Sequence, residues 1–430
     1  MGQRMIRHQV EEGLSLYDEK NYDAAIKKWT IALQKMKNNR LRFTTLGHLA
    51  TASRDRGRNK DYLVYAVQQI DIAHELDENN LRAQAYLTLS RANEMLADYF
   101  KAVSYSRSTL QYSPPGDSKQ VYAYLVMADS YIGLCNFSKV VECLDKALNM
   151  SHEHTDPMME TQILSTMGKV FLALKDFPKA LLFQRRALEM VSSNSALATE
   201  HHRNENSKFV RITKLKIATP LRLMGDFVSA TKCVEESMQV ASSLGDRPVQ
   251  AKCLVCIGDI QRSQNNNEVA CKKYEAAIQM LQDMNDRYSY TLAMIGLVKA
   301  LLALNTQQNT ANDILATALS TATSMGNKLL QARCHLLNER ILKSENRLDD
   351  ARNALDTAQR LYQEADLLCS VCQKPMGMEP DKIQILTCTH MFHERCIAEL
   401  LQKWTRQAQS CPKCNQKVLF SRSHISLACS

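Results

Sequence analysis

The segment GLSLYDEKNYDAAIKKWTIAL at residues 13–33 contains the pattern that decides the fold. Gly13 is followed at fixed offsets by Ala25, Trp29 and Ala32. A glycine and two alanines recur at the same offsets in GKVFLALKDFPKALLFQRRAL (168–188) and in GDIQRSQNNNEVACKKYEAAI (258–278). Small residues at this spacing let two antiparallel helices approach closely, and the large residues between them pack over the contact. The sequence therefore predicts repeated pairs of helices.

This pattern resembles the tetratricopeptide repeat, and its period is close to forty residues rather than the ~34 usual for that class. The residue that opens each second helix is predicted at Ala25, Tyr62, Ala102, Val140, Ala180, Ala230, Ala270, Ala311 and Ala351. Only the step from Ala180 to Ala230 is much longer, and its excess includes the polar segment 192–208, which predicts an extended loop. We expect about nine helical pairs across residues 9–365.

Turn residues support the same period. Gly245, Asn285 and Gly326 are 40 and 41 residues apart, and Gly and Asn tolerate the left-handed backbone that ends many helices. The chain has only 13 Gly and 9 Pro in 430 residues, which favours long helices with short connections. The predicted fold is an all-α solenoid, whose default function is to bind other proteins along its repeats.

The last part of this array, residues 330–365, has two interpretations. Leucines and an isoleucine recur at spacings of six and seven residues, which is typical of a short coiled coil. The simpler interpretation is that the segment is the final helical pair.

Composition limits the remaining possibilities. No run approaches the ~18 apolar residues of a membrane span, and no signal peptide is recognisable. The 14 cysteines therefore indicate a reducing cytosol, and Cys253 and Cys256 are interpreted as packing residues. Net charge is +9, a mild and unevenly spread excess that falls well short of a nucleic-acid-binding tail. Seven basic residues and no acidic residue lie between Ala24 and Arg54, which indicates either a solvated helix face or attraction to the anionic inner leaflet of a membrane.

The carboxyl-terminal part, residues 366–417, contains a different signal, and residues 418–430 form a tail. Eight cysteines and histidines follow one another at metal-ligand spacing: Cys369, Cys372, Cys388, His390, His393, Cys396, Cys411 and Cys414. Thiolate and imidazole suit Zn²⁺, and eight ligands complete two tetrahedral structural sites. We expect two zinc ions and a module whose folding depends on them.

The spacing is similar to that of RING fingers of the two-histidine subclass, in which three cysteines, two histidines and three cysteines follow in order. That resemblance implies interleaved sites, with Cys369, Cys372, His393 and Cys396 on one zinc and Cys388, His390, Cys411 and Cys414 on the other. It also implies a surface that docks the E2 conjugating enzyme of ubiquitin-like transfer. Val371 and Pro412 match that surface. Leu400 stands where the family usually has tryptophan, Trp404 lies one turn later, and Asn415 replaces the usual basic residue.

The amino terminus, residues 1–8, reads MGQRMIRH. Gly2 is the residue that N-myristoylation requires, whereas Ile6 departs from the usual small or hydroxyl residue at that position. One myristoyl chain anchors only marginally, so the basic stretch that begins at Lys27 would supply a second membrane signal.

Together these features resemble the rapsyn family of receptor-associated synaptic scaffolds over essentially the whole chain. The likeness is closest in VQQIDIAHEL (67–76), GDRPVQAKCLVCIGDIQRS (245–263) and LTCTHMFHERC (386–396). It implies a myristoylated protein on the cytoplasmic face of the postsynaptic membrane that self-associates and clusters nicotinic acetylcholine receptors. It also implies that the helical region before the RING contacts receptor and that the RING links to dystroglycan and the cytoskeleton.

Two other functions remain open from the sequence. One is a RING-type E3 ligase for ubiquitin or a ubiquitin-like protein, with the repeats selecting the substrate and catalysis residing in the recruited enzyme. The other is an adaptor for chaperone carboxyl tails, which requires Lys and Arg to converge on the concave face of one group of repeats. The repeats themselves contain no catalytic constellation that we recognise.

Overall fold

The computed structural model describes residues 2–151, 157–193, 200–305, 308–386, 388–403 and 410–417. Over these residues the chain forms eighteen helices in nine antiparallel pairs, followed by a small module with a two-stranded sheet and one further helix. This architecture confirms the predicted all-α, tetratricopeptide-like solenoid with a small terminal module.

The elements follow one another with short connections. The helical pairs are α1 (Gly2–Asp18) with α2 (Tyr22–Lys35), α3 (Asn39–Arg56) with α4 (Asn59–Leu76), α5 (Asn79–Met95) with α6 (Tyr99–Tyr112), α7 (Ser118–Gly133) with α8 (Phe137–Ser151), α9 (Pro157–Ala173) with α10 (Phe177–Ser193), α11 (Glu200–Leu223) with α12 (Phe227–Ser243), α13 (Arg247–Ser263) with α14 (Asn267–Met284), α15 (Arg287–Leu304) with α16 (Gln308–Ser324), and α17 (Lys328–Ser344) with α18 (Leu348–Glu364). The terminal module contains β1 (Ile383–Ile385), β2 (Met391–His393) and α19 (Glu394–Lys403).

The predicted register is correct with a uniform offset. Every second helix begins three residues before the residue expected to open it, for example at Tyr22 instead of Ala25 and at Phe177 instead of Ala180. The offset arises because the alanines mark the first close contact between helices, one turn inside the second helix. Both alanines are buried in that contact.

Close helix contact explains the spacing of the repeat motif. A Cβ atom on Gly13 would lie 2.2 Å from Trp29 Nε1, and one on Gly258 would lie 2.9 Å from Tyr274 Cε1. In each pair the bulky residue sixteen positions later occupies the space that the glycine leaves open. Trp29 is buried and its indole N–H donates to the Val10 carbonyl at 3.1 Å.

The turns between pairs have the predicted backbone. Gly245, Asn285 and Gly326 have φ angles of 63°, 55° and 72°. The left-handed conformation at these positions reverses the chain after each second helix. The sequence signal at these three turns is thus confirmed.

The predicted loop at 192–208 is wrong over its second half. Helix α10 continues to Ser193 and α11 already begins at Glu200, while residues 194–199 lie outside the described part. Residues 200–208 contain no Gly or Pro. Adding turns to an existing helix costs far less than starting one, so this polar segment extends the helix that the buried Leu215 and Leu221 anchor. His201 and His202, expected in the loop, lie in this helix.

Of the two interpretations of residues 330–365, the structure has the helical pair α17 and α18. Leu337 and Ile341 are buried inside this pair and its neighbours, whereas Leu348 is 59% exposed. The leucine spacing therefore reflects repeat packing.

Helix α15 is the one described helix that is long and apolar enough to cross a membrane, with a mean hydropathy of 1.2 over 18 residues. No such helix is expected from the sequence. Its side chains Ala293, Leu297 and Val298 are buried between the neighbouring helices. It occupies the place of the first helix of the eighth pair.

Early and late turns of the solenoid touch each other, which makes the superhelix compact. The Arg56 guanidinium donates to the Gly245 carbonyl at 3.2 Å. One superhelical step further along, Arg287 Nη1 donates to the Leu96 carbonyl at 3.3 Å. One more step along, the Leu329 N–H donates to Cys135 Sγ at 3.4 Å.

Candidate metal centre

The first metal-binding loop follows α18 directly. The Cys369 N–H donates to the Lys374 carbonyl at 3.0 Å, and the Gln373 N–H donates back to the Cys369 carbonyl at 2.8 Å. Gln373 has a φ of 58°. This tight turn points the two cysteines of the CxxC motif, Cys369 and Cys372, toward one point.

The second CxxC loop has the same geometry. The Cys411 N–H donates to the Gln416 carbonyl at 2.8 Å, and the Asn415 N–H donates to the Cys411 carbonyl at 2.9 Å. Asn415 has a φ of 57°. Asparagine tolerates this left-handed backbone better than most residues, which gives a structural reason for its presence after the eighth ligand.

The β1–β2 hairpin and the start of α19 hold the four central ligands. Ile383 pairs with His393 across the sheet, and the Leu386 N–H donates to the His390 carbonyl at 2.9 Å at the entrance to the turn. Cys388 and His390 lie in that turn, and Cys396 lies in the first turn of α19.

The eight predicted ligands form two groups. Cys369, Cys372, His393 and Cys396 make the first group, and Cys388, His390, Cys411 and Cys414 make the second. In each group the ligand atoms all lie within 4.8 Å of one another. The grouping is the interleaved one that the RING resemblance implies.

The distances between ligand atoms suit tetrahedral zinc. Zn–S bonds of about 2.3 Å and Zn–N bonds of about 2.0 Å at tetrahedral angles separate sulfur from nitrogen by about 3.5 Å. His393 Nδ1 lies 3.3 Å from Cys372 Sγ and 3.9 Å from Cys396 Sγ. His390 Nδ1 lies 3.4 Å from Cys388 Sγ and 3.6 Å from Cys411 Sγ. The residues therefore fit two metal ions of this size and preference.

Both histidines present Nδ1 to their group, which leaves Nε2 for a second partner. The Nε2 of His393 lies 3.9 Å from Asp381 Oδ2, and Arg395 holds that carboxylate at 3.1 Å. At 3.9 Å this carboxylate lies beyond hydrogen-bond distance of Nε2, whereas the Pro375 carbonyl accepts a hydrogen bond from the ring and orients it. Burial lowers the pKa of His390 and of His393, so both rings are neutral near pH 7, the form that binds metal.

The thiols are not equally ready to ionise. Burial raises the pKa of Cys388 and of Cys396 to about 12. Burial acts in the same direction on Cys369, but N–H groups of Cys372, His393 and Val371 outweigh it and lower the pKa of Cys369. A hydrogen bond from the Gln416 N–H lowers the pKa of Cys414. Each group thus combines a thiol that ionises easily with one that needs a cation to do so.

The module is fixed to the fifth helical pair by contacts that the sequence did not predict. Asp176, buried in the turn between α9 and α10, accepts a hydrogen bond from the Ile383 N–H at 3.0 Å, although the two residues are 207 positions apart. Lys179 Nζ donates to the Ile383 carbonyl at 2.7 Å and pairs with Glu394 at 3.2 Å. A Cβ atom on Gly377 would lie 3.2 Å from the Ala173 carbonyl oxygen. The module therefore makes the contact between early and late turns of the solenoid that a tenth helical pair would make.

The candidate docking residues of the module are placed as follows. Val371 and Leu400 are half-buried and pack against the module's core, and Pro412 is exposed. Trp404 lies outside the described residues.

The amino-terminal candidates lie in the first helical pair. Helix α1 begins at Gly2, so residues 2–8 belong to that helix. Ile6 is buried against Val10 and Trp29 in the core of the first pair. Its departure from the usual myristoylation pattern therefore has a packing reason.

Fold and site together define a helical-repeat protein of tetratricopeptide-like architecture that carries a RING finger at its end. A "Ring finger domain" family model matches residues 367–415, and a model described as "Rapsyn N-terminal myristoylation and linker region" matches residues 1–80. The chain is 31% identical over 418 residues to the 43 kDa receptor-associated protein of the synapse from Gallus gallus, covering 97% of this chain and 98% of that relative. The protein of that name from Tetronarce californica is 28% identical over the same shares.

The chain belongs to this family, the rapsyn family, as its sequence predicts. A further similarity covers the terminal module alone. This region is 47% identical over 53 residues to a Drosophila melanogaster E3 ubiquitin-protein ligase, the RNF181 homolog. The match covers 12% of this chain and 33% of that relative.

Among solved structures, a Rap protein complexed with competence and sporulation factor has a TM-score of 0.54 at 14% identity, over 77% of this chain and 90% of that chain. The Rap conjugation gene regulator of plasmid pLS20 in complex with the Phr* peptide also has a TM-score of 0.54, at 11% identity, over 84% of this chain and 96% of that chain. These two likenesses concern the fold of the repeat array.

Proposed function

We propose that this protein is a scaffold on the cytoplasmic face of the postsynaptic membrane that binds and clusters nicotinic acetylcholine receptors. The observation that carries the proposal is the match over 97% of the chain to a receptor-associated protein of the synapse. Because the match includes the repeats, the amino terminus and the RING, it supports transfer of the function of the whole relative.

The surface of the repeats supports a binding role. Phe100 is 74% exposed and Val228 is 83% exposed, each in the first turn of a second helix. Large apolar side chains in such positions are available for contact with receptor or with other copies of the chain. Self-association and a link through dystroglycan to the cytoskeleton belong to the same proposal and rest on the family resemblance.

Membrane attachment is proposed to begin at Gly2, with N-myristoylation as the first anchor. The family model that matches residues 1–80 supports this assignment. The two groups of ligands are proposed to hold two structural zinc ions, because donor types and spacing both suit that metal.

The proposal is tested by expressing the chain with receptor subunits in a cultured cell line. We expect surface receptors to gather into clusters that coincide with the protein. Gly2→Ala should move the protein to the cytosol and disperse the clusters, whereas His8→Ala, an exposed change on the same helix, should leave them intact. Diffuse receptors in the presence of wild-type protein would contradict the scaffold function.

A second function, RING-type E3 ligase for ubiquitin or a ubiquitin-like protein, is favoured by the RING match at 367–415 and by the similarity to the Drosophila ligase. In this role the RING would position a conjugating enzyme that carries ubiquitin or a ubiquitin-like protein. No residue of the chain would bond covalently to the substrate.

An autoconjugation assay with a panel of conjugating enzymes tests the ligase function. Val371→Arg should abolish conjugation by placing a charge in the docking surface, whereas Lys382→Glu, an exposed charge change on the same module, should not. Absence of conjugation with every enzyme, with receptor clustering intact, would leave the scaffold function alone.

A further inference from the structure

A pocket of about 500 Å³ opens at the amino-terminal end of the solenoid. It lies where the start of α1 meets the connection between α2 and α3. Pockets of this size accommodate small polar molecules or the headgroup of a lipid.

The lining of the pocket is strongly basic. Arg7, Lys35, Lys37 and Arg40 contribute to it, and no Asp or Glu is among the described residues that line it. Within the described part of the chain, Arg40 is the member of this group that forms an ion pair, with Glu78 at 2.6 Å. The other three cations face solvent at the pocket without a carboxylate partner among those same residues, and they attract anions.

The backbone adds to this attraction. Helix α3 begins at Asn39, beside the pocket, and Asn38 caps it by accepting from the Leu41 N–H at 2.9 Å. The amino-terminal end of a helix carries a partial positive charge. The pocket thus combines side-chain cations with a helix end of the same sign.

The inner side of the pocket is apolar. Ile6 and Met36 are buried there and Leu41 is half-buried. Met5, which precedes the lining residue Ile6 in α1, is 55% exposed. An exposed apolar side chain beside cations is the arrangement that proteins use at the boundary between lipid headgroups and acyl chains.

We propose that this pocket binds the headgroup of an anionic phospholipid in a bilayer, with Met5 entering the boundary of the acyl chains. The proposal rests on the proposed membrane association and adds a second attachment to it. Gly2 lies one helical turn from Ile6, about 6 Å along the axis, so an acyl chain on Gly2 would bring the pocket to headgroup level. Since one myristoyl chain holds a protein only marginally, the pocket would supply the missing affinity.

A nucleic acid is the competing anion, and the apolar contacts disfavour it. Phosphate contacts alone account for most sequence-independent nucleic-acid binding, and they make no use of an exposed methionine. A membrane uses both the cations and Met5.

The test uses the full chain made in a host that lacks N-myristoyltransferase, so that no acyl chain contributes. Cosedimentation is measured with vesicles of phosphatidylcholine mixed with phosphatidylserine, with vesicles of pure phosphatidylcholine, and with inorganic phosphate or a short single-stranded RNA as competitor. The variants are Lys35→Gln with Lys37→Gln, Met5→Ser, and the control pair Lys232→Gln with Lys272→Gln, which are exposed on α12 and α14.

We expect binding to the mixed vesicles and little binding to pure phosphatidylcholine. Neutralising Lys35 and Lys37 should weaken vesicle affinity about 25-fold, because each basic residue near an anionic surface contributes about a fivefold factor. Met5→Ser should also weaken it, the control pair should not, and neither inorganic phosphate nor RNA should displace the vesicles.

The pocket assignment would be overturned if the control pair lost as much vesicle binding as Lys35→Gln with Lys37→Gln. It would also be overturned if the protein did not bind the mixed vesicles, or if inorganic phosphate or RNA displaced it from them. These outcomes are separate from failure of the scaffold proposal, because receptor clustering by the acylated protein in cells is scored independently.

Discussion

Replacing Asp176 should loosen the RING module from the repeats and weaken the repeats only at the start of α10. Asp176 is 1% exposed, and its Oδ2 accepts the Ile383 N–H at 3.0 Å while its Oδ1 accepts the Lys179 N–H at 3.2 Å as the cap of α10. Asp176→Ala leaves the Ile383 N–H without its acceptor in a buried interface, which costs about 2 kcal/mol. Loss of the cap costs about 1 kcal/mol more and acts on α10 alone.

The chain offers a matched control at the same position of the next pair. Asp226 caps α12 by accepting from the Ser229 N–H at 3.0 Å, but it is exposed and lies in the turn of the sixth pair, away from the buried contact with Ile383. Asp226→Ala therefore removes a cap and leaves the contact with the RING in place. The difference in Ile383 amide protection between the two variants therefore reports on that contact alone.

Hydrogen exchange of the Ile383 amide is the assay, because that amide makes the contact. A loss of about 2 kcal/mol raises the population of the open state about thirtyfold, so protection at Ile383 should fall about thirtyfold in Asp176→Ala. Protection there should not change in Asp226→Ala. Unchanged protection in Asp176→Ala, or an equal fall in both variants, would refute the docked arrangement.

Three further predictions concern the metal sites and the repeats. Cys388→Ala should abolish metal binding in its group and unfold the terminal module while the repeats stay helical. The control Cys143→Ala, a buried change in α8, should leave the metal content unchanged. Native amide exchange in the module of a variant that binds one metal ion would contradict the grouping. Metal affinity should fall as pH is lowered from 8 to 6, by about tenfold per unit for each proton displaced, because burial raises the pKa of Cys388 and of Cys396 to about 12 and each ion must displace the proton of the one thiol that lies in its own group. Competition with a chelating dye measures the affinity, and a flat pH profile would count against the prediction. Gly258→Ala should lower the free energy of unfolding by about 1–3 kcal/mol, since its Cβ would lie 2.9 Å from Tyr274. Thermal melting should show a smaller loss of stability when the same change is made in a Tyr274→Leu background. Equal losses in both backgrounds would disprove the contact.

The sequence predicts the repeats well because their contacts are local. Gly13 and Trp29, or Gly258 and Tyr274, are sixteen residues apart and contact each other directly, so a fixed spacing in the sequence reports a fixed contact in space. The grouping of the eight ligands is also predictable, because the RING pattern fixes the order in which they pair.

The turns inside the pairs carry a weaker signal. Lys20, Ala97 and Cys135 adopt the left-handed backbone with φ of 65°, 59° and 58°. These residue types are uncommon in that conformation, so residue identity does not mark the turns. The contacts of the two flanking helices impose the conformation.

The position of the RING on the repeats has no local signal at all. Asp176 has the identity of an ordinary helix cap, and nothing near it in sequence indicates a partner 207 residues away. The contact exists because the superhelix brings the turn inside this pair against a later part of the chain, a property of the accumulated rotation of the pairs. The pocket beside Arg7 and Lys37 likewise depends on the meeting of three helices.

We propose that two zinc ions hold together the module that completes the helical solenoid. Native mass spectrometry of the full chain, with metal analysis of the same sample, measures this directly. We expect two zinc ions on each folded polypeptide. A folded chain that carries no metal, or a single ion shared between the two groups of ligands, would contradict it.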